Sequence, residues 1–497
     1  MNKDLIIPSP AIGIGPSAFR GFQDVRNLDL STFPGVAILN NLIAKKSSTT
    51  VVGRVNWMVK NPATPAEVYG LDADGKVYKS SDSGATWALM TGFTSGGHGN
   101  GLAIWKNYLI VARDAFLDVC GDGTATGITN ANWTNSWKAI DSDLLWHPML
   151  VSKNDNKLYG GAGKYVFSLD EATAPFVPAT AASYTYTQQA LDLPPNYRIK
   201  CIEELGNNLM LGTWQGTNVY DLRVADIFPW DRSSSSFGQP ITMNENGVHG
   251  LLNIGNALIV LAGIEGQVYL SDGVNATPIA IIPSSIADIS GGKYIEFLPG
   301  AVCNFKKKIF FGVSSGGSST AIPGMGVYSL QRTSRGNILL HEHTISTGSD
   351  GDGEILKIGA LLPITRDEIL VSWTDATTYG IDKTTNTSYT TSYGGYFISP
   401  MYRVGSSNHT RKFQEVEINL ARPLRTGEGI KLSYRSSLTA SFTDLLTFDF
   451  STYGAVLSHT TILSKPTFSI PASELLQIKV SLTGTTTSPE FMSAIFS

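Results

Sequence analysis

Few residues in this sequence have the spacing of metal ligands. His341 and His343 are two positions apart, so on a β-strand both imidazoles would lie on one face and could bind a metal ion with further ligands. The acidic segment 350–354 resembles part of a calcium loop, but it lacks the full EF-hand spacing and has no flanking helices. We therefore expect a histidine pair on a solvated strand face, an acidic surface turn, and no bound metal or cofactor.

Three cysteines could also bind metal or form disulfides, but their spacing is unsuitable. Cys120, Cys201 and Cys303 form no CxxC pair, and none is close to a histidine. Their neighbours are apolar, so we expect three small apolar side chains in strands.

One local motif has a recognisable pattern. Residues 80–87 read Ser-Ser-Asp-Ser-Gly-Ala-Thr-Trp and resemble the Asp-box, S-x-D-x-G-x-x-W, a β-hairpin turn seen in sialidases and many other propellers. After the leading Ser80, Asp82 can accept backbone hydrogen bonds, Gly84 can adopt a positive φ, and Trp87 can pack over the hairpin. In families that carry the box it lies away from the catalytic face, so we expect a structural role.

Candidate catalytic groups are scattered. The sequence contains no Walker loop, no nucleophile elbow and no HExxH motif. Glu203 and Glu204 are adjacent, so on a strand their carboxylates point to opposite faces. Resemblance to a sialidase would require an arginine cluster, a tyrosine with a glutamate, and a general acid. The arginines belong to no such motif: Arg54, Arg113, Arg198 and Arg223. We expect no enzymatic activity.

The composition excludes several classes of protein. Only 16% of the 497 residues are charged, where about 25% is usual. Lysine and arginine (37) do not exceed aspartate and glutamate (41), which argues against a nucleic-acid binder with a strong basic field. The 42% of hydrophobic residues supply a core, so the chain is not intrinsically disordered. No apolar segment has the length of a membrane span or a secretory signal, and we expect folding in a cytoplasm.

A degenerate repeat runs through the middle of the sequence. Each unit has a short apolar strand ending near a glycine, then a strand with an aromatic residue before a polar end, as at 67–71 and 75–80. The units begin near positions 67, 107, 157, 208, 256, 308 and 368, a mean spacing of about 50 residues, which is typical of long propeller blades. The sequence predicts an all-β fold with a β-propeller of about seven blades. Six or eight blades, or a chain of plain β-sandwiches, are the alternatives.

The segments on either side of the repeat differ from it. Residues 1–44 contain four prolines and several glycines, which indicates an extended N-terminal arm. Beyond residue 396 apolar and polar residues alternate, as at 413–420 and 476–482, which is typical of half-buried strands in a β-sandwich. We therefore predict an arm over 1–44, the propeller over 45–395 and a C-terminal β-sandwich over 396–497.

The arm carries a resemblance to a known class of protein. Residues 26–36 read Arg-Asn-Leu-Asp-Leu-Ser-Thr-Phe-Pro-Gly-Val and include an -FPG- turn. Together with a long propeller that lacks catalytic motifs and the closing run 476–491, this segment resembles tail proteins of tailed bacteriophages. The type that it resembles is the propeller-bearing tail hub or nozzle protein of short-tailed phages.

The resemblance implies a non-catalytic structural subunit of a phage tail, located in the virion and assembled in the host cytoplasm. Several copies would form a ring around the channel through which DNA passes without sequence-specific binding. Arm residues would contact other copies or neighbouring tail proteins: Arg26, Asn27, Phe33, Pro34 and Gly35. Two alternatives stay open, a propeller that binds a carbohydrate or host receptor and a sialidase-like glycoside hydrolase.

Overall fold

The fold is all-β. The computed structural model describes residues 4–8, 22, 24–30, 32–33, 35–47, 50–93, 97–142, 146–172, 175–215, 225–282, 294–316, 322–333, 336–349, 355–385, 388–389, 394–405, 411–451, 461–465 and 470–497. Within these residues a 3₁₀-helix, Ala181–Ser183, interrupts the strands, and no helix has the length and hydropathy of a membrane span. The chain forms two compact units. We call residues 44–326 with 345–383 the propeller unit, and residues 1–43, 327–344 and 384–497 the terminal unit.

The propeller unit is a series of antiparallel sheets that follow one another along the chain. Sheet A contains β6 (Val55–Lys60), β7 (Val68–Asp72), β8 (Val77–Ser80) and β9 (Ala88–Leu89); sheet B contains β10 (Gly99–Trp105), β11 (Tyr108–Arg113), β12 (Phe116–Cys120) and β13 (Trp133–Ala139). Sheet C contains β14 (Met149–Val151), β15 (Leu158–Ala162), β16 (Tyr165–Glu171) and β17 (Tyr184–Asp192); sheet D contains β18 (Tyr197–Leu205), β19 (Asn208–Gln215), β20 (Ala225–Trp230) and β21 (Ile241–Met243). Sheet E contains β22 (Val248–Asn253), β23 (Leu258–Ala262), β24 (Gln267–Ser271) and β25 (Ala276–Ile281).

Two further sheets complete the propeller unit. In sheet F, β26 (Ile295–Glu296) and β27 (Val302–Phe305) both pair with β28 (Lys308–Ser315). In sheet G, β31 (Leu356–Pro363), β32 (Ile369–Asp375) and β33 (Thr378–Thr384) are joined by β5 (Ile43–Lys45), which comes from the other end of the unit. The chain continues this pairing after β5, because the amide of Lys46 donates to the carbonyl of Ile381 at 2.8 Å.

The burial of the strands explains the repeat in the sequence. Every residue is buried in the second strands β7, β11, β15 and β23, which are apolar except for the terminal Asp72 of β7 and Arg113 of β11. No residue of the fourth strands β13 and β25 is buried, and β13 is mostly polar. Apolar clusters lie between neighbouring sheets: A and B, B and C, C and D, D and E, and also A and G. Each sheet thus buries its faces against the next, as in a β-propeller.

The first strands of the sheets form a closed ring. They are in contact in the order β6, β10, β14, β18, β22, β27, β31 and back to β6. The strands approach closely where one of them carries a glycine. A Cβ atom on Gly101 of β10 would lie 1.8 Å from the carbonyl oxygen of His147, so a side chain at this position would push sheets B and C apart. The glycines of the repeat therefore serve sheet packing as well as turns.

The terminal unit combines strands from three parts of the chain. One sheet has the order β1 (Leu5–Pro8), β43 (Phe491–Phe496), β37 (Val416–Leu420) and β40 (Ile462–Lys465). A second has the order β29 (Gly326–Thr333), β30 (Gly336–His343), β2 (Asp24–Arg26), β34 (Gly395–Ile398), β42 (Leu475–Thr483), β38 (Gly429–Arg435) and β39 (Thr443–Asp449), with β35 (Tyr402–Arg403) also pairing with β42. Two short pairs are β3 (Leu28–Asp29) with β4 (Ile38–Leu39), and β36 (Arg411–Phe413) with β41 (Ile470–Ser473).

This grouping differs from the domain boundaries that we predicted. The predicted arm, as far as it is described, pairs with C-terminal strands: β1 lies beside β43, and β2 lies between β30 and β34. Residues 327–344 also group with the terminal unit, although the sequence placed them in the propeller. The physical reason is burial. Ile7, Val25 and Leu340 are fully buried in one apolar core with the C-terminal strands.

Candidate functional site

The Asp-box forms a tight hydrogen-bonded turn between β8 and β9. Ser80 Oγ donates to Asp82 Oδ1 at 2.8 Å and accepts the amide of Gly84 at 2.8 Å. Asp82 accepts both the amide and the hydroxyl of Thr86, at 2.8 and 2.6 Å. Burial acts to raise the pKa of Asp82, but the bonds from Thr86 and Ser80 outweigh it and hold that pKa below its usual range. The Asp82 carboxylate therefore stabilises the turn through these hydrogen bonds.

The box also joins sheet A to sheet G. Trp87 is buried in the apolar cluster between these sheets, and its Nε1 donates to the carbonyl of Gly84 at 3.2 Å. Gly84 has φ +82°, and a Cβ atom there would lie 2.6 Å from Cδ2 of Leu370 on β32. Because sheet G is the last of the series and sheet A the first, the box packs at the closure of the ring.

The arm residues singled out by the sequence lie within the terminal unit. Arg26 Nε donates to Asp24 at 2.8 Å, and its guanidinium lies 5.7 Å from the centre of the Tyr396 ring. Asn27, with φ +53°, donates through Nδ2 to the carbonyl of Gly394 at 2.9 Å.

The -FPG- segment is a surface turn. The amide of Val36 donates to the carbonyl of Phe33 at 3.1 Å, and Gly35 between them has φ +82°. The Phe33 side chain is 48% exposed, and Pro34 lies outside the described residues. Phe33 is thus accessible to another molecule.

The histidine pair is not on a solvated face, and that expectation was wrong. His341 and His343 on β30 retain only 1% and 6% of their accessible surface, and the Tyr328 ring packs edge-on against His341 at 4.7 Å. Burial follows from the central place of β30 in its sheet, between β29 and β2. The described residues contain no group of three or more His, Cys, Asp or Glu side chains arranged to hold a metal ion. The acidic segment 350–354 lies outside them.

The cysteines and the paired glutamates have structural surroundings. All three cysteines are buried, free and located in strands β12, β18 and β27. Burial raises the pKa of Cys120 to about 12. Glu204 Oε1 forms an ion pair with Arg232 Nη1 at 2.8 Å. Burial raises the pKa of the neighbouring Glu203. Of the four arginines considered as catalytic candidates, Arg113 pairs with Asp118 at 2.6 Å and Arg223 is not described.

A polar cluster that sequence reasoning missed lies on the ring of first strands. It consists of residues from four sheets and the segment before β6: Arg54, Lys200, His249, Glu296 and Lys357. We call it the ring cluster. Lys357 Nζ donates to Glu296 Oε2 at 2.8 Å, and Lys200 Nζ donates to His249 Nδ1 at 2.8 Å. His249 Nε2 is then the protonated nitrogen, and it donates to the carbonyl of Asn246 at 3.0 Å.

A repeated β-bulge accompanies this cluster. The pairing of first and second strands shifts by one residue in five sheets, and the unpaired residues are Asn56, Asn100, Lys200, His249 and Gly359. A bulge turns its extra side chain out of the regular alternation. Four of these residues are polar and buried, with 8% exposure or less. The ring therefore concentrates polar groups at equivalent points of successive sheets.

The electrostatics of the ring cluster are dominated by burial and by its cations. Burial lowers the pKa of Lys200 to about 8, and burial with the neighbouring Lys200 lowers the pKa of His249 to about 3. Burial acts to raise the pKa of Glu296, but Lys357, Lys200 and Arg54 outweigh it and bring that pKa to about 2. At pH 7 the cluster thus contains a carboxylate, a neutral imidazole and three cations.

Comparison with known proteins identifies no family. No protein-family model matches the sequence, and a search of curated proteins found no match. The chain is similar to YCF48 bound to a D1 peptide (9% identity, 73% of this chain and 97% of the other, TM-score 0.45). It is also similar to the Cps50 (Swd1) β-propeller domain of Myceliophteria thermophila (12% identity, 69% of this chain and 98% of the other, TM-score 0.44). A third similar structure is that of the RRP9 WD40 repeats (14% identity, 66% of this chain and 92% of the other, TM-score 0.40). The chain is an all-β protein with a β-propeller.

Proposed function

We propose that this protein is a non-catalytic structural subunit of a bacteriophage tail, which assembles with copies of itself into a hub- or nozzle-like ring. The -FPG- arm segment motivates the phage assignment, and the observation that carries self-assembly is the outer surface of the terminal unit. We infer that the propeller has seven blades, which the closed ring of contacts among seven first strands supports. Assembly takes place in the host cytoplasm, neighbouring tail proteins are further partners, and DNA passes through the ring without sequence-specific binding.

The surface in question is the outer face of the sheet β1-β43-β37-β40. Ile6 pairs with Ile495 across β1 and β43, and Ile495 pairs with Glu417 of β37, so these side chains share one face. Ile6 and Ile462 are 55% and 51% exposed. Both belong to edge strands of the sheet, and an edge strand with exposed apolar side chains favours pairing with another chain. We name this surface the outer face.

The outer face also includes side chains of the inner strands β43 and β37. Met492, the unpaired residue at a bulge of β43, is 43% exposed. The centre of the face is polar, where Asn419 Nδ2 donates to Ser493 Oγ at 3.2 Å. A mixture of apolar side chains and satisfied polar groups is typical of protein–protein interfaces that form between folded subunits. A second copy of the chain is the partner that a ring requires.

The experiment is to measure the oligomeric state of the full chain. Light scattering after size-exclusion chromatography and negative-stain electron microscopy should show a closed ring. The double variant Ile6→Lys and Ile462→Lys should shift it to monomer, because two buried ammonium groups would oppose the interface. Val274→Lys is the matched control, since Val274 is 74% exposed in the propeller unit. A wild type that stays monomeric at high concentration, or a ring unaffected by the double variant, would refute self-assembly.

The phage assignment has its own test. Portal, terminase and tail genes beside this gene are expected, and antibodies to the chain should label the tails of the corresponding virions in electron micrographs. Labelling of the host surface and not of virions would contradict it.

A further inference from the structure

We propose that the ring cluster binds a small tetrahedral oxyanion with two negative charges, of the phosphate and sulfate class, between Arg54, Lys200 and Lys357. The site is independent of the proposed tail function, because it lies inside the propeller unit and not on the outer face.

The described groups of the ring cluster carry an excess of positive charge. Arg54, Lys200 and Lys357 bring three positive charges to a site where Glu296 is the carboxylate that they share. The neutral His249 adds none, so the described groups carry an excess of two positive charges. Buried charges in proteins are normally paired or hydrogen-bonded to partners of opposite sign. A bound dianion would balance the excess.

The ammonium group of Lys200 is buried. The side chain is 95% buried, since its residue retains 5% exposure. Its neighbours among the described residues are the neutral His249, a carbonyl of Phe297 at 3.5 Å, and the ring of Trp146 with its centre at 5.1 Å. No described carboxylate forms an ion pair with it. The bulge of β18 places this ammonium here, which regular strand geometry would not do.

The guanidinium of Arg54 has hydrogen-bond donors available to a ligand. Within the described structure the guanidinium of Arg54 makes one hydrogen bond, from Nε to Asn56 Oδ1 at 2.8 Å, so both Nη atoms have donors to spare. A planar guanidinium fork matches two oxygens of a phosphate or sulfate. Lys357 and Glu296 retain 20% and 23% of their side-chain surface, so this side of the cluster is in contact with solvent.

The test is calorimetric titration of the full chain at low ionic strength, with sodium sulfate and inorganic phosphate in separate arms and sodium chloride as the matched salt. We expect saturable binding of one anion per chain to the wild type. Sulfate keeps its charge between pH 7 and 9, so its binding should weaken across this range as Lys200 loses its proton. Phosphate that binds while sulfate does not would identify a ligand that must also donate a proton.

Two variants change affinity in opposite directions. Lys357→Gln removes a cation and should weaken binding roughly tenfold to a hundredfold. Glu296→Gln removes the competing carboxylate and should tighten binding, which keeps the proposal testable if the first variant fails to fold. Lys157→Gln is the control, because Lys157 pairs with Asp170 at 2.9 Å outside the ring cluster. Absence of saturable binding to the wild type, or weaker binding by Glu296→Gln, would overturn the proposal.

Discussion

The contact between Gly84 and Leu370 allows a sharp test of how the ring closes. Gly84→Ala places a side chain at φ +82°, which costs about 1–2 kcal/mol for a non-glycine residue. The new Cβ atom would also lie 2.6 Å from Leu370 Cδ2, and overpacking of this kind costs about 1–3 kcal/mol. We therefore expect Gly84→Ala to lower the free energy of unfolding by roughly 2–5 kcal/mol.

The two costs can be separated with a double-mutant cycle. Leu370→Ala alone should cost about 2–5 kcal/mol, because Leu370 is fully buried. In the double variant the Cβ atom of residue 84 has room. Its loss of unfolding free energy should therefore be smaller than the summed losses of the two single variants by about 1–3 kcal/mol. Gly206→Ala is the control. Gly206 has φ +58°, and a Cβ atom there would meet no other atom within 4 Å, so this variant should show the backbone cost alone.

Equilibrium urea unfolding followed by tryptophan fluorescence is the appropriate assay. All nine tryptophans belong to the propeller unit, so the signal reports its unfolding and not that of the terminal unit. Additivity of the two single variants within about 0.5 kcal/mol would refute the packing argument. So would a Gly84→Ala variant that costs no more than Gly206→Ala.

Three further outcomes follow from buried charges and thiols. Arg422→Gln should lower the free energy of unfolding by about 3–5 kcal/mol in calorimetry, because it leaves the fully buried Glu428, now paired at 2.5 Å, without its cation. Glu296 has a folded pKa of about 2, against an ordinary value of 4.5, so its ionisation contributes on the order of 3 kcal/mol to the free energy of unfolding. This contribution is complete above pH 4.5 and is lost as the pH falls toward 2. Glu296→Gln should therefore flatten acid unfolding in that window. The three cysteines should not react with a thiol reagent at pH 8 until urea unfolds the chain, since burial raises the pKa of Cys120, Cys201 and Cys303.

The parts of the structure that depend on neighbouring residues were predictable. The Asp-box was recognised because its hydrogen bonds join residues within seven positions of one another, from Ser80 to Trp87. The repeat was visible because fully buried second strands such as β7 and β15 are largely apolar and contain glycine.

The parts that depend on distant pairing were not predictable from local patterns. Four prolines suggested an extended arm, yet even the short strand β2 has a buried central residue where it inserts between β30 and β34. The ring cluster was missed for the same reason, because Arg54 and Lys357 are about 300 residues apart and neither belongs to a motif. A signal was nevertheless present. Lys200 and His249 each lie between two non-polar residues at equivalent points of successive first strands.

Buried and half-buried arginines elsewhere in the chain show why the ring cluster is unusual. Arg113 pairs with Asp118 at 2.6 Å, Arg232 with Glu204 at 2.8 Å, and Arg422 with Glu428 at 2.5 Å, so each has a carboxylate of its own. In the ring cluster three cations share the carboxylate of Glu296. A cluster needed only for stability would gain from a second carboxylate or from fewer cations, since an unpaired buried charge is costly. The excess is therefore better explained by a ligand that supplies the missing negative charge than by packing alone.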